Sequence, residues 1–424
     1  MLRQMVSVDE ALELVLDAVA PLGVERIPIL LAGGRVIAET IASSRDIPAF
    51  ANSAMDGYAV RAADLEAAGE SSPVRLRVLE TVGAGQMPAR TLAAGDAVRT
   101  MTGAPLAAGA DAIVPVERTR SAGQDVEILA RAETGAFVRP RGEDLKSGEL
   151  VISSGRALSP ADIGMLAALN RSMIDVCRRP RVAIVATGDE LVDVDQIPAG
   201  AQVINSSAYA LAAAILETGA DPTILKVARD QPAEVRARFS EALAFDAVLS
   251  TGGVSVGQFD HVKQVMDELG LHQRFHGVAQ KPGRPLKFGT IAGKPLFGLP
   301  GNPVSTMVCF YLYVRPALRK MAGRSDLGLP RLSVRCAADM KVASGLTEFI
   351  RVKLEQRGGE WFAASTGNQS SGVLSSLSRA DALLIGPAMV DLLRAGDQAT
   401  VLVLDPAAAT DAAAYFEARR RHAN

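Results

Sequence analysis

Between Arg181 and Gly270, strand-length apolar runs alternate with helix-length runs, and this alternation limits the possible folds more than any other feature of the chain. In order they are RVAIVA, the loop TGDEL, a short run near VINS, the helical AYALAAAILETG, TILKVA, the helical PAEVRARFSEALA, DAVLS, the loop TGGVSVGQ and the helical HVKQVMDELG. Parallel strands cannot be joined by a tight turn; they need a crossover, usually a helix. The pattern therefore predicts βαβ units and a parallel sheet with helices on both faces, over residues 180–329.

The flanks read differently. Ser7 followed by Glu10 forms a capping box ahead of apolar residues at helical spacing, which Pro21 and Gly23 stop. Ser159 and Pro160 open a second helix, PADIGMLAALN. Short alternating runs fill residues 48–147, so residues 1–47 with 148–179 are expected to form a helical linker domain interrupted by a small β-module. Residues 330–405 again alternate at strand length, with Gly358-Gly359 as a hairpin turn, and predict a C-terminal β-domain. The Ala- and Arg-rich tail, 406–424, carries no assigned role.

Composition removes several function classes. Forty-five Lys+Arg balance 47 Asp+Glu for a net charge of -2, so no bulk cationic surface exists to grip nucleic acid. The 4% aromatic content leaves few rings for stacking on bases. Cys177, Cys309 and Cys336 are far apart and lack metal or disulfide spacing. The N-terminus lacks a signal layout, and the longest apolar run, Val304 to Val314, is too short to span a bilayer. A cytoplasmic protein with no membrane contact is expected.

In open parallel sheets, ligands collect beyond the carboxyl ends of the strands. Two loops take that position. Thr187-Gly188-Asp189-Glu190 follows RVAIVA, with Glu190 expected on the ligand side; Ser250-Thr251-Gly252-Gly253-Val254-Ser255-Val256-Gly257 follows DAVLS and can close backbone amides around phosphate oxygens. Either loop alone is equally a ligand-free βα turn. Lys281-Pro282-Gly283-Arg284 and Pro300-Gly301-Asn302-Pro303 are rigid segments suited to holding cations and amides against an anion. Asp56, Asp144, Glu190, Asp230 and Asp260 are acids in loop contexts that suit a hard cation such as Mg²⁺. Carboxylates, a glycine nest and a basic loop together have the composition of phosphoryl or nucleotidyl chemistry. His272 and His276 are read as a surface turn and no histidine site is expected.

The segments NSAMDGYAV (52–60), RGED (141–144), TGDEL (187–191), TGGVSVGQFDHVK (251–263), KPGRP (281–285), GLPGNPVS (298–305) and GNQSSGVLSSL (367–377) together resemble the molybdopterin molybdenumtransferase (MoeA) family, which includes the C-terminal domain of gephyrin. The resemblance runs in order along almost the whole chain. It implies a multidomain α/β plus β fold: a central molybdopterin-binding-like α/β domain, an inserted β-module, an α-rich linker domain and a C-terminal β-barrel-like domain. It also implies a homodimer whose active site is shared between subunits. The implied reaction is insertion of molybdate into adenylylated molybdopterin, with Mg²⁺-dependent hydrolysis of the adenylate and release of AMP.

By the same resemblance, Thr187, Gly188, Asp189, Ser250, Gly252, Gly253, Ser255, Gly257, Lys281, Pro300, Asn302 and Pro303 bind the substrate. Glu190, Asp230 and Asp260 serve metal and hydrolysis, and Asp56 and Asp144 reach in from the partner subunit. Lys281, Arg284, Arg351 and Ser371 meet molybdate, where charge-assisted hydrogen bonds suit a tetrahedral dianion. Other cofactor-synthesis proteins or apo-molybdoenzymes are possible partners. The chain departs from the family pattern at Arg284, where KPGKP is common, and at Gln258, where an acid is common. Arg284 keeps the charge with a different geometry, and Gln258 removes one potential metal ligand. The alternatives are a molybdopterin adenylyltransferase and a gephyrin-like non-catalytic scaffold.

Overall fold

The computed structural model describes residues 3–252 and 261–409. The chain forms two compact units, one of residues 1–38, 155–159 and 173–424, the other of 39–154 and 160–172.

The first unit contains a seven-stranded sheet. Its strands are β1 (Arg3–Val6), β2 (Arg181–Ala186), β3 (Asp221–Ile224), β4 (Ala247–Thr251), β5 (His272–Val278), β6 (Lys287–Ile291) and β7 (Lys294–Leu299), in the spatial order β1-β5-β6-β7-β4-β2-β3. The helices are α1 (Val8–Asp17), α2 (Ser206–Glu217), α3 (Pro232–Ala242), α4 (His261–Glu268) and α5 (Pro303–Cys309). Ser7 caps α1 as its sequence requires, its Oγ accepting from the Glu10 N–H at 3.2 Å.

The sheet is parallel across β7-β4-β2-β3 and mixed beyond β7, whereas the sequence alternation predicts a fully parallel one. β6 and β7 run antiparallel because only Ala292 and Gly293 connect them, both at positive φ, a turn that can join only antiparallel strands. β5 is antiparallel to β6, and β1 adds to β5 in parallel at the sheet edge. His272 and His276 therefore lie on a strand, not on a surface turn.

Both faces of the sheet are covered, which explains why β2 is apolar from Val182 to Ala186. Val182 and Ile184 face the core shared with Ala208, Leu211 and Ile215 of α2. Ala183 and Val185 face Val235 and Phe239 of α3 and Val265 of α4. Phe275, Phe288 and Phe297 stack across β5, β6 and β7 with centroids 5.8 and 4.8 Å apart. Burying one such ring contributes about 2 kcal/mol. α5 continues through a π-helical stretch, Phe310–Val314, into α6 (Arg315–Met321).

The same unit carries a closed five-strand barrel. β8 (Arg331–Cys336), β9 (Thr347–Arg357), β10 (Glu360–Ser365), β11 (Ala382–Gly386) and β12 (Gln398–Val403) run in the ring order β9-β10-β8-β12-β11, closed by β11 pairing back to β9. Gly358 and Gly359, both at positive φ, make the expected turn between β9 and β10.

The second unit holds a six-stranded sheet in the order 112–115, 57–60, 96–100, 74–82, 125–128 and 119–122. Gly57 lies so close to Val114 that a Cβ would sit 2.1 Å from its carbonyl oxygen. No helix among the described residues is long and apolar enough to cross a membrane.

Candidate functional site

The chain leaves β2 toward β3 on one side and later returns to β4 on the other, so the strand order reverses between β2 and β4. Loops diverge at such a switch point and leave a crevice beyond the strand ends. A cleft of about 370 Å³ opens there, lined by Thr187 and Glu190 after β2, Thr251 and Gly252 at the end of β4, and Gly301, Asn302 and Pro303 after β7.

The two loops meet through their backbones. Thr187 N–H donates to the Thr251 carbonyl at 3.1 Å, and Gly252 has a φ of +87°. A Cβ on Gly252 would lie 2.6 Å from the Thr187 carbonyl oxygen, so this position admits only glycine without moving the facing loop. Beneath them, the buried Thr187 Oγ1 and Ser250 Oγ have no hydrogen-bond partner among the described residues. A buried hydroxyl without a partner is costly unless a ligand or ordered water completes it.

Sequence reasoning missed the opposite wall: Leu191, Val203, Ile204, Asn205, Ser206, Ser207 and Gly372. Asn205 is the N-cap of α2, and its side chain accepts from the Ala208 N–H at 3.3 Å. Ser206 and Ser207 follow in the first helical turn, where backbone N–H groups have no intrahelical acceptor and the helix dipole favours an anion. The Asn-Ser-Ser run before an apolar helix is a readable cap signal. Its place beside Thr187 depends on strand order, which the run does not encode.

Glu190 folds back over Gly188, where an added Cβ would lie 2.6 Å from the Glu190 Oε2. Asp189 is exposed beside it, and its Oδ1 accepts the Asp230 N–H at 3.2 Å. Arg229 donates to the Asp189 carbonyl at 2.7 Å, so the β2 and β3 loops form one acidic rim. Among the described residues, no group of three or more His, Cys, Asp or Glu side chains converges as a metal site.

The remaining predicted residues are distributed unevenly. Pro300 is buried below the cleft, its carbonyl accepting from Thr306 Oγ1. Asn302 Nδ2 donates to Ser371 Oγ at 3.0 Å, which brings the Ser371 loop to the cleft mouth. Lys281 and Arg284 do not line the cleft: Lys281 pairs at 2.9 Å with Glu348, and Arg284 is exposed. Arg351 is 1% exposed, and its guanidinium donates to Ser376 Oγ at 3.2 Å and to the Ser370 carbonyl at 3.2 Å. Burial pulls its pKa down from the usual guanidinium value. Arg351 thus anchors the chain next to Ser371.

Asp56 and Asp144 belong to the second unit, and both are exposed. Asp56 accepts from the Thr102 N–H at 2.7 Å and from Thr102 Oγ1 at 2.8 Å, and these bonds hold its carboxyl below the usual carboxylate value. Gly253, Ser255, Gly257, Gln258 and Asp260 lie outside the described residues, as does the tail from residue 410.

Comparison with known proteins agrees over three successive regions of the chain. Residues 6–170 match the family model described as MoeA N-terminal region (domain I and II), residues 183–320 the Probable molybdopterin binding domain, and residues 333–404 the MoeA C-terminal region (domain IV). A Nostoc sp. protein named molybdopterin molybdenumtransferase is 36% identical over 90% of this chain and 88% of its own length. Molybdopterin molybdenumtransferase 2 of Mycobacterium tuberculosis is 36% identical over 88% of this chain and 94% of its own. The crystal structure of a molybdopterin biosynthesis MoeA protein from Pyrococcus horikosii superimposes with a TM-score of 0.81 at 34% identity, covering 94% of this chain and 99% of that one. The three matched regions and these relatives agree with the α/β sheet, the closed barrel and the second unit: the chain belongs to the molybdopterin molybdenumtransferase (MoeA) family.

Proposed function

We propose that this protein inserts molybdate into adenylylated molybdopterin, with hydrolysis of the adenylate and release of AMP, and that the cleft beyond β2, β4 and β7 receives the pterin nucleotide. One observation carries the reading: at the switch point the Gly252 turn, the first turn of α2 and Thr187, whose buried Oγ1 has no partner among the described residues, line one cleft. Backbone amides and hydroxyls aimed into a crevice stabilise phosphate oxygens without needing a cationic surface.

In this reading Thr187, Gly188, Asp189, Ser250 and Gly252 position the phosphate and pterin portions, while Pro300, Asn302 and Pro303 close the far side. Gly253, Ser255 and Gly257 are assigned to the same substrate-binding role. Lys281, Arg284, Arg351 and Ser371 serve the oxyanion, Arg351 through its hold on the chain before Ser371. Mg²⁺ suits the rim: Glu190 on the wall and Asp230 beside it are hard oxygen donors, and this ion commonly takes one or two carboxylates with substrate phosphates and water. When bound, it neutralises charge on the phosphate oxygens. Asp260 is assigned to the same role. Asp56 and Asp144 act from the partner subunit of a homodimer, and the reaction is placed in the cytoplasm.

The test uses purified protein with adenylylated molybdopterin, Mg²⁺ and varied molybdate. AMP release and active cofactor should rise together with molybdate. Equal AMP release without molybdate would contradict insertion, consumption of ATP with unadenylylated molybdopterin would favour the adenylyltransferase, and no turnover would favour the scaffold. Mixing the inactive variants Asp56→Ala and Glu190→Ala should restore part of the activity if each site draws on both subunits. Absence of rescue would count against the shared site.

A further inference from the structure

The segment Lys281–Arg284 is held from below by a fully buried polar cluster. Gln280, Cys309 and Tyr313 are each 0% exposed. Tyr313 Oη donates to Gln280 Oε1, and Gln280 Nε2 donates to the Pro282 carbonyl at 2.9 Å. The Cys309 thiol donates to the Gly283 carbonyl at 3.5 Å. The loop therefore has two successive main-chain oxygens fixed by side chains with no access to water. Gly283, at a φ of +100°, completes the fit, because a Cβ there would lie 2.6 Å from both Cys309 Sγ and Gln280 Nε2.

The bonds are local, but the helix carrying them is not. Cys309 ends α5, whose first residue, Pro303, lines the cleft, and Tyr313 lies in the π-helical stretch that follows. π-helical turns cost helix stability and recur where a side chain must be aimed for function. On the other flank Gln280 and Lys281 pair with Thr347 and Glu348 of β9, and the buried Glu348 fixes the Lys281 ammonium. The loop is thus clamped between the helix that begins at the cleft and the barrel strand that carries Arg351.

We propose that Gln280, Tyr313 and Cys309 are positioning residues for the oxyanion, setting the geometry of Lys281 and Arg284 through the Pro282 and Gly283 carbonyls. The inference rests on the reading that this loop receives molybdate. A tetrahedral dianion is recognised by cations at fixed separation, so freeing the loop weakens oxyanion binding and leaves the nucleotide cleft as it was.

The test measures steady-state turnover of adenylylated molybdopterin against molybdate concentration. Tyr313→Phe removes one donor; the double variant Tyr313→Phe/Gln280→Met removes the Tyr313–Gln280 pair together at similar volume and releases the Pro282 carbonyl, with folding checked by a thermal melt. In the double variant the molybdate half-saturation should rise about tenfold, the equivalent of the one buried hydrogen bond that reaches the loop at the Pro282 carbonyl, with kcat and the pterin-nucleotide half-saturation within about twofold of wild type. Cys309→Ser, which keeps a donor, should stay near wild type. The reference is Lys281→Ala/Arg284→Ala, which should raise the same half-saturation. An unchanged molybdate half-saturation in the double variant beside a raised one in the reference overturns the positioning role. An unchanged value in the reference overturns the loop's assignment to molybdate, and the proposal with it.

Discussion

The two ends of α2 open onto two cavities built on opposite principles. At the N-terminal end, the cleft of about 370 Å³ has walls that include hydroxyl residues, the first turn of α2 and Glu190, with the buried Thr187 hydroxyl that nothing among the described residues satisfies. At the C-terminal end, a cavity of about 250 Å³ is lined by Arg35, Arg179, Arg319 and Arg324 together with Leu216, Glu217, Thr218 and Gly219. Each of those arginines already has a partner. Arg35 meets Glu25 and the Cys177 carbonyl, Arg179 faces Asp221 at 3.8 Å, Arg319 and Arg324 share Asp326, and Arg324 also reaches the Gly34 carbonyl at 3.2 Å. Four cations in a cavity suggest an anion site until the partners are counted. The helix dipole points the same way: an anion is favoured at the N-terminal end, and cations tied to carboxylates and carbonyls are favoured at the other. Unsatisfied polar groups mark a place for a ligand; satisfied charges mark a joint.

The contrast can be broken by substitution. Glu190→Gln should lower kcat by about a hundredfold or more, the usual effect of losing a charged group that acts on the reacting phosphate, while stability moves little because the side chain is exposed. Turnover within about threefold of wild type would remove Glu190 from the chemistry. Gly252→Val forces a side chain against the Thr187 carbonyl at positive φ, a distortion of about 3 kcal/mol, and should weaken AMP binding by about a hundredfold in calorimetric titration. Normal affinity would mean that the switch point is not where the nucleotide sits.

The next change is smaller. Asn205→Ala removes the α2 cap, costing about 1 kcal/mol in a denaturant melt, and should raise the half-saturation for the pterin nucleotide about tenfold by loosening the first turn. Lost stability with an unchanged half-saturation would reduce Asn205 to a structural cap.

The C-terminal end should respond in stability alone. The Arg324 hydrogen bond, reinforced by the Arg319 charge, holds the Asp326 carboxyl down to about 2. Because this folded value lies below the unfolded value of about 4, the stabilisation is fully present above that unfolded value and is lost as pH falls through about 2. Asp326→Asn should cost no more than about 1 kcal/mol near neutral pH, the range for partly exposed pairs, and progressively less as pH falls through about 2, with turnover near neutral pH unchanged. A change in AMP affinity would show that the arginine cavity takes part in binding after all.

These residues also show which parts of the molecule are legible in the sequence. The alternation of RVAIVA, AYALAAAILETG and DAVLS encodes the sheet core because each element must bury its apolar surface locally, and Thr187 to Glu190 can be placed at a strand end from that pattern alone. β1 is not legible, since four residues carry too little periodicity and its partner β5 is more than 260 residues away in the chain. Asn205, Ser206 and Ser207 read as a helix cap but not as a cleft wall, because strand order decides what lies opposite. The bond between Tyr313 and Gln280 joins positions 33 residues apart, and no local pattern announces it. Arg351, expected to face the oxyanion, has its guanidinium committed to the loop before Ser371, which motif spacing alone does not reveal.

The most direct test is the position of the phosphate in a crystal structure of the protein with AMP bound. The account predicts phosphate oxygens within hydrogen-bond distance of the Ser206 or Ser207 backbone N–H groups and of the Gly252 turn, with Thr187 Oγ1 gaining a partner. A phosphate seated among Arg35, Arg319 and Arg324 at the other end of α2, with the switch-point cleft empty, would contradict it.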